Sequence, residues 1–370
     1  MGLLRLLLSI AVIVEHMRLS RPYMIWGGDA VKIFFMISGF YMAMILLEKY
    51  GNSRKGLTTF AINRFLRLYP VYVTVLIITI IWFIICKLST HGGTPDTDLL
   101  KLSRILPFWQ SVLLWLPNFT LFGIDLPSLF HWSQQSGFQI MTTLPHDDVN
   151  GNIWIGYTVW VRQAWSVGSE IWFYLLSPLI VFGSLRRIIS FGLVSIGIGL
   201  YCTLYLKCSS YFFWPAQLVY FVVGILLYKI YLSFDLQSYL PKSNISRFLL
   251  AGSPIFWIII LPFFGHSLKE CFLFPVAAIS IPVLFSITKK NKIDRDIGNL
   301  SYCTYLNHLL VMSVVAVILK RLHGLDYLYV PLVISGSLTL AFMLEWLVDS
   351  PIEKFRAAFA YKKLKSVNPS

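Results

Sequence analysis

Along this chain the apolar residues fall in long uninterrupted blocks, with the polar residues gathered between them. Ten blocks lie near residues 3–20, 24–47, 71–88, 165–184, 188–206, 211–230, 248–265, 270–287, 298–319 and 328–348. A hydrocarbon core about 30 Å thick is crossed by roughly 20 such residues in a helix. No heptad run, low-complexity tract or internal repeat competes with that reading. The pattern therefore predicts an all-α, polytopic transmembrane helical bundle of about ten transmembrane helices. An eleventh apolar stretch, near 105–124, needs a separate argument.

Composition strengthens the membrane assignment. Of 370 residues, 57% are hydrophobic and only 13% charged, and the mean hydropathy is +0.70. A water-soluble domain cannot bury that much apolar surface. The net charge of +14 fits Lys and Arg concentrated in cytoplasmic loops. It does not indicate nucleic-acid binding, because no compact basic domain exists to carry it.

Charge placement also orients the chain. With the N-terminus inside and ten spans, the inner connections hold 19 Lys and Arg and the outer ones 10. A full span at 105–124 would invert every later loop and erase that bias. Residues 105–124 are therefore expected to be re-entrant or interfacial, a seat suited to Pro107, Pro117, Phe108, Trp109, Trp115 and Phe119.

Both termini are then cytoplasmic, and residues 89–163 form the largest outer piece. This piece carries His131, Trp132, Gln134, Gln135, His146, Asp147 and Asp148, a mixture that suits carbohydrate contact or an ordinary surface loop. The expected organisation is one membrane-embedded domain over 1–350 and a short basic tail over 351–370, with Tyr361–Ser370 disordered.

Several other classes fall away. The five cysteines are odd in number, mostly within apolar blocks, and form no Cys-x-x-Cys, so neither a disulfide framework nor a zinc site is expected. The N-terminus lacks a small-x-small cleavage site, and residue 6 is Leu where myristoylation needs Ser or Thr. Three glycosylation-type triplets begin at Asn118, Asn244 and Asn299 and decide nothing without knowledge of the compartment. No metal-ligand spacing and no Gly-rich phosphate loop occur.

Ionisable groups within apolar blocks mark candidate chemistry. Arg5 and His16 are eleven positions apart, which in an α-helix is about 1100° of rotation and about 16.5 Å of rise, so both project from nearly one face. His16 is the candidate base, since imidazole titrates near neutrality; a hydrogen-bonded structural role is the alternative. Glu170 sits at the start of an apolar span, where it would orient an imidazole, bind a hydroxyl or simply favour a helix N-terminus.

Arg64 and Arg67, three apart, share a helix face that suits phosphate or lipid headgroups. Lys32 needs an anionic partner or a snorkelling route. Ser38-Gly39 allows close approach of a helix or a ligand. Tyr305 and His308 share a face late in the chain, where a structural hydrogen-bond cluster is the simpler role.

Taken in order, these pieces resemble the acyltransferase 3 family of integral-membrane acyltransferases. The matching motifs are Arg5-x10-His16, Phe34-Phe35-x-x-Ser38-Gly39-Phe40, Arg64-Phe-Leu-Arg67-Leu-Tyr69-Pro70, Trp165-Ser166-x-x-x-Glu170-x-x-Phe173-Tyr174, Ser301-Tyr302-x-x-Tyr305-Leu-x-His308 and a closing segment from Glu345 to Pro351. Each is unspecific alone; their order and spacing across nearly the whole chain carry the resemblance. One departure is Lys32, where the family often places an acid, and Asp29 is no assured substitute.

The resemblance implies an O-acyltransferase moving an acyl group, most often acetyl, from cytoplasmic acetyl-CoA to a hydroxyl of a surface polysaccharide or its lipid-linked precursor, in a bacterial inner membrane. His16, Glu170 and Arg5 become the expected catalytic set, with His16 deep in the bundle. Arg64, Arg67, Ser38, Tyr302 and His308 become the expected donor-binding set, without a metal. Acyl-CoA, a glycan acceptor and membrane lipids are the expected partners, and no second hydrolase-like module is expected after the last span. A transporter or flippase for a lipid-linked sugar is the alternative that intramembrane charges and an aromatic outer region would also fit.

Overall fold

The computed structural model describes all residues except 20–23, 90–97, 141–152, 235–242, 261–265, 323 and 366–370. His146, Asp147 and Asp148 lie outside the described residues. Ten helices occupy the ten apolar blocks: α1 (Gly2–His16), α2 (Gly27–Ile45), α3 (Arg54–Ser89), α6 (Trp165–Val181), α7 (Leu185–Leu204), α8 (Trp214–Ser233), α9 (Asn244–Ile260), α10 (His266–Thr288), α11 (Lys292–Arg321) and α12 (Tyr329–Leu344). The remaining α-helices among the described residues are α4 (Asp98–Ile105), α5 (Phe108–Thr120) and α13 (Ser350–Lys365).

Seven helices among the described residues are long and apolar enough to cross a membrane. On α3 the side chains of Ile77, Ile81, Phe83, Ile84 and Ile85 are exposed, and on α7 so are Leu193, Val194, Ile196, Leu200 and Leu204. Exposed apolar faces of that extent belong against lipid. The chain is an integral membrane protein.

The helices form two compact units, one of 1–60, 177–188 and 220–370, the other of 61–176 and 189–219. In the first unit α11 is the centre, packing against α1 and α12, and α1 also packs on α2. Helices in lipid gain little from apolar contact alone, so close backbone approach matters. A Cβ on Gly2 would stand 1.5 Å from the Asp294 carbonyl oxygen, and one on Gly298 would stand 2.7 Å from Gly2 Cα. The backbones of α1 and α11 meet there.

Polar groups lock the same seam. Asn291 caps α11 by accepting from the Asp294 N–H at 3.2 Å. Asp294 in turn caps α1, its carboxylate accepting from the Gly2 and Leu3 N–H groups at 2.8 and 3.0 Å. A helix N-terminus leaves such donors unsatisfied, and here a neighbouring helix supplies the acceptor. About two turns further, Ser9 Oγ donates to the Ser301 carbonyl at 2.8 Å.

Gly39 plays a comparable part between α2 and α8, where an added Cβ would lie 2.1 Å from the Phe221 carbonyl oxygen. Of the two occupants considered for Ser38-Gly39, the one on the Gly39 side is a helix. Lys32 finds the required anion one turn back, with Nζ 3.3 Å from Asp29 Oδ1. Its ammonium also lies 5.9 Å and 5.5 Å from the Tyr220 and Phe274 ring centres, so cation–π attraction helps hold a charge in an apolar block.

In the second unit α3 runs for 36 residues with Pro70 inside, about 54 Å of helix. The block expected to start at 71 therefore belongs to a helix that begins at 54, and Arg64 and Arg67 lie within it. Proline removes one backbone donor but does not end this helix. The stretch near 105–124 holds α5, whose 13 residues span about 20 Å, short of a hydrocarbon core.

A small antiparallel sheet follows: β1 (Phe130–Ser133), β2 (Gly137–Ile140) and β3 (Ile153–Trp154), in the order β2-β1-β3. This addition to the all-α reading is a hairpin turned at Gly137, whose φ is +68°. His131 pairs across it with Gln139, Nε2 to Oε1 at 3.0 Å, and Gln134 and Gln135 are exposed at its tip. Trp132, Phe130 and Ile153 pack with Trp115 and Trp160 around buried Leu99, Leu102, Leu114 and Ile155.

The basic tail departs from expectation. Residues up to Lys365 are helical in α13, because Arg356 and Ala360, 5% and 0% exposed, lie one turn apart and anchor one face.

Candidate active site

The first unit gathers the densest set of candidate groups around α1 and α11. Both Arg5 and His16 lie on α1, as the spacing requires, with His16 as its last residue. The helix stops there: Met17 caps it and Arg18 takes a left-handed φ of +49°. His16 is exposed at this end, which corrects the expectation of an imidazole sunk deep in the bundle. Its Nδ1 lies 2.8 Å from the Val12 carbonyl oxygen. A ring nitrogen at that distance from a carbonyl carries the hydrogen, leaving Nε2 as the basic atom.

The deeply buried imidazole is His308, at 0% exposure on α11. Its Nδ1 faces the Tyr305 carbonyl at 2.7 Å, fixing the same tautomer. Its Nε2 is buried without a hydrogen-bond partner among the described residues. The His16 and His308 ring centres are 4.9 Å apart, tilted by 59°. Tyr305 lies edge-on to Phe34 of α2 with ring centres 6.2 Å apart, so the motif around Phe34 and the motif around His308 meet.

Other members of the expected sets are placed as follows. The Arg5 guanidinium lies over the start of α11, with Nη1 3.7 Å from where a Cβ of Gly298 would stand. Tyr302 is half-buried on α11, and Ser38 is buried on α2. Around His308 the Thr304 hydroxyl, Asn307 Oδ1 and the Ser337 hydroxyl are also buried without partners among the described residues, while Asn307 Nδ2 donates to the Ser337 carbonyl at 3.0 Å.

Arg64, Arg67 and Glu170 belong to the second unit. Both arginines are half-buried on α3, and Glu170 is half-buried on α6, where the Tyr174 hydroxyl donates to its Oε2 at 3.3 Å. The second unit also holds a carboxyl that the sequence did not single out. Asp125 is 0% exposed, and among the described residues neither oxygen completes a hydrogen bond, although the Trp172 indole lies beside it. Burial pushes this carboxyl up to about 7. Sequence gave no signal for it, because an acid between Ile124 and Leu126 reads as any loop residue.

Among the described residues no three His, Cys, Asp or Glu side chains converge as a metal site.

The fold and site thus define an integral-membrane helical protein built on an Arg–His helix whose histidine meets a second, buried one. Residues 2–346 match the acyltransferase domain family Acyl_transf_3, and the chain belongs to that family of acyltransferases. A similar protein is Acyltransferase MdmB of Streptomyces mycarofaciens, 33% identical over 121 residues, 32% of this chain and 28% of that protein. The matched stretch therefore spans less than a third of the relative. No solved structure matches the chain.

Proposed function

We propose that this acyltransferase moves an acyl group, acetyl in the first instance, from cytoplasmic acyl-CoA to a hydroxyl of a surface polysaccharide or its lipid-linked precursor, with His16 as general base. The observation that carries the reading is the His16 ring itself. Its Nδ1–H is held on Val12 at 2.8 Å and it is exposed at the end of α1. Its remaining nitrogen is the basic one, which is the state a general base requires.

In this reading the acceptor hydroxyl gives its proton to His16 Nε2, and its oxygen attacks the thioester carbonyl. The carbon–sulfur bond breaks, and the thiolate takes the proton to leave as CoA. Arg64 and Arg67 bind the donor phosphates as planar guanidinium forks. Glu170 is the carboxylate that binds an acceptor hydroxyl. The excess of Lys and Arg in the inner loops supports cytoplasmic termini in a bacterial inner membrane.

Binding of a non-hydrolysable acetyl-CoA analogue to the purified protein tests the donor. The expected result is saturable binding, weakened about tenfold or more when Arg64→Ala and Arg67→Ala are combined, since each charged hydrogen bond contributes about 1.5–3 kcal/mol. Absence of binding by the wild type would favour a sugar flippase.

A further inference from the structure

We propose that α11 and α12 enclose an internal water site built from Thr304, Asn307, His308 and Ser337. Each of these residues is 0% exposed. Each also holds one polar atom buried without a hydrogen-bond partner among the described residues: Thr304 Oγ1, Asn307 Oδ1, His308 Nε2 and Ser337 Oγ. Inside a membrane-spanning bundle bulk water does not reach such groups, so each one left unpaired costs free energy.

The helices bring the four residues together. Thr304, Asn307 and His308 stand at i, i+3 and i+4 on α11 and are neighbours on one face. Asn307 reaches across to α12, where its Nδ2 donates to the Ser337 carbonyl at 3.0 Å. The free oxygen of that amide and the hydroxyl of that serine therefore share one contact between the helices. Helical hydroxyls commonly turn back onto the preceding turn. The flanking, exposed Ser335 and Thr339 of α12 do so, donating to the Pro331 and Ser335 carbonyls at 2.7 and 2.8 Å. On α11 the Ser301 hydroxyl donates to the Gly298 carbonyl at 2.7 Å. The hydroxyls of Thr304 and Ser337 make no such bond.

The donor and acceptor character of the set selects its occupant. Asn307 Oδ1 only accepts. His308 Nδ1 lies 2.7 Å from the Tyr305 carbonyl oxygen and carries the hydrogen, so Nε2 only accepts as well. The two hydroxyls donate or accept. The set contains no carboxylate, so a bare cation would remain an uncompensated buried charge. Complete burial excludes a larger solute. Water donates twice and accepts twice, and a buried water makes about three hydrogen bonds to groups otherwise unsatisfied. Bound here, it fastens α12 to α11 beside the Asn307 bond and gives His308 Nε2 a donor. The His308 ring, 4.9 Å from the His16 ring centre, is then held at both nitrogens.

The test is thermal unfolding in detergent of the full chain as wild type, Thr304→Val, Ser337→Ala and the double variant. A hydroxyl bonded to a held water is missed when it is removed, so each single variant is expected to lower the midpoint by about 2 °C or more. Both hydroxyls serve the same water, so the double variant should fall by clearly less than the sum of the two. A hydroxyl with nothing to bond is removed at no cost or at a gain. An unmoved or raised midpoint in either single variant therefore overturns the site, and so does a double variant equal to the sum.

Should the variants fail to accumulate, radiolytic footprinting of the wild type in heavy-oxygen water decides the matter. A fully buried ring is oxidised by radicals formed from water held beside it, so heavy oxygen on His308 is the expected result. An unlabelled His308 overturns the site. Neither readout uses acyl transfer, so the outcome is independent of the role given to His16.

Discussion

Asn118 and His308 are both buried polar side chains, 1% and 0% exposed, one in each compact unit, and they are used in opposite ways. Asn118 spends every hydrogen-bonding group. Its Nδ2 donates to the Leu114 and Thr158 carbonyls at 3.1 and 3.2 Å, and its Oδ1 accepts from the Trp160 N–H at 2.9 Å. Its backbone carbonyl accepts from the Tyr72 hydroxyl at 2.7 Å. His308 keeps one nitrogen in reserve. A saturated buried amide fastens α3, α5 and the chain near Trp160 together. The buried imidazole of His308 lies beside another imidazole and keeps Nε2 without a partner among the described residues.

The comparison is broken most directly by Asn118→Ala. It strands the Trp160 N–H and the Thr158 carbonyl, and the expected cost is about 2–4 kcal/mol of stability. Thermal unfolding in detergent reads it as a lowered midpoint, while the activity of each folded molecule remains. The same substitution answers what the sequence could not. Asn118 fits a glycosylation triplet, yet its amide is fully engaged and buried, so it is not a modification site.

Next in size is Gly298→Val at the α1–α11 seam, where a Cβ would stand 2.7 Å from Gly2 Cα. Overpacking of this kind costs about 1–3 kcal/mol. The result expected is a lowered unfolding midpoint together with reduced transfer, because the seam carries both Arg5 and His308.

Asp125 sharpens the comparison from the other unit. Its carboxyl has a folded-state pKa raised by burial from the usual 3.8 to about 7. A raised acid is most favourable to the fold below about pH 4, and its contribution is lost as pH rises through about 7. The wild-type unfolding midpoint should therefore decline across that window, and Asp125→Asn should flatten the decline. The smallest stability effect is expected at His308→Gln, whose amide N–H can still donate to the Tyr305 carbonyl that Nδ1 now faces, so the midpoint should shift little.

The fold was legible where the signal is local. The apolar blocks fall on helices, seven of them among the described residues long and apolar enough to cross a membrane, because a lipid-facing helix writes its hydrophobicity into consecutive residues. Boundaries were less legible. Pro70 suggests a break that α3 does not make, and the end of α1 at His16 depends on Arg18 adopting a left-handed φ that no residue type announces. The hairpin around Gly137 and the helical start of the tail are set by packing of Trp132 and Arg356, which hydropathy does not record.

The candidate site divides in the same way. Arg5 and His16 share a helix face by arithmetic alone. Lys32 asked for an anion, and Asp29 supplies it. That His16 would meet His308 was not legible, because a contact across 292 positions leaves no local trace. The orphaned carboxyl of Asp125 was equally silent.

Whether His16 takes the acceptor proton is read out by a single comparison. Transfer of label from radiolabelled acetyl-CoA into envelope polysaccharide is compared in membranes holding equal amounts of wild-type protein and His16→Ala. The account predicts label with the wild type and a loss of about 100-fold or more with the variant, the usual scale for a removed general base. Equal label with both would contradict it.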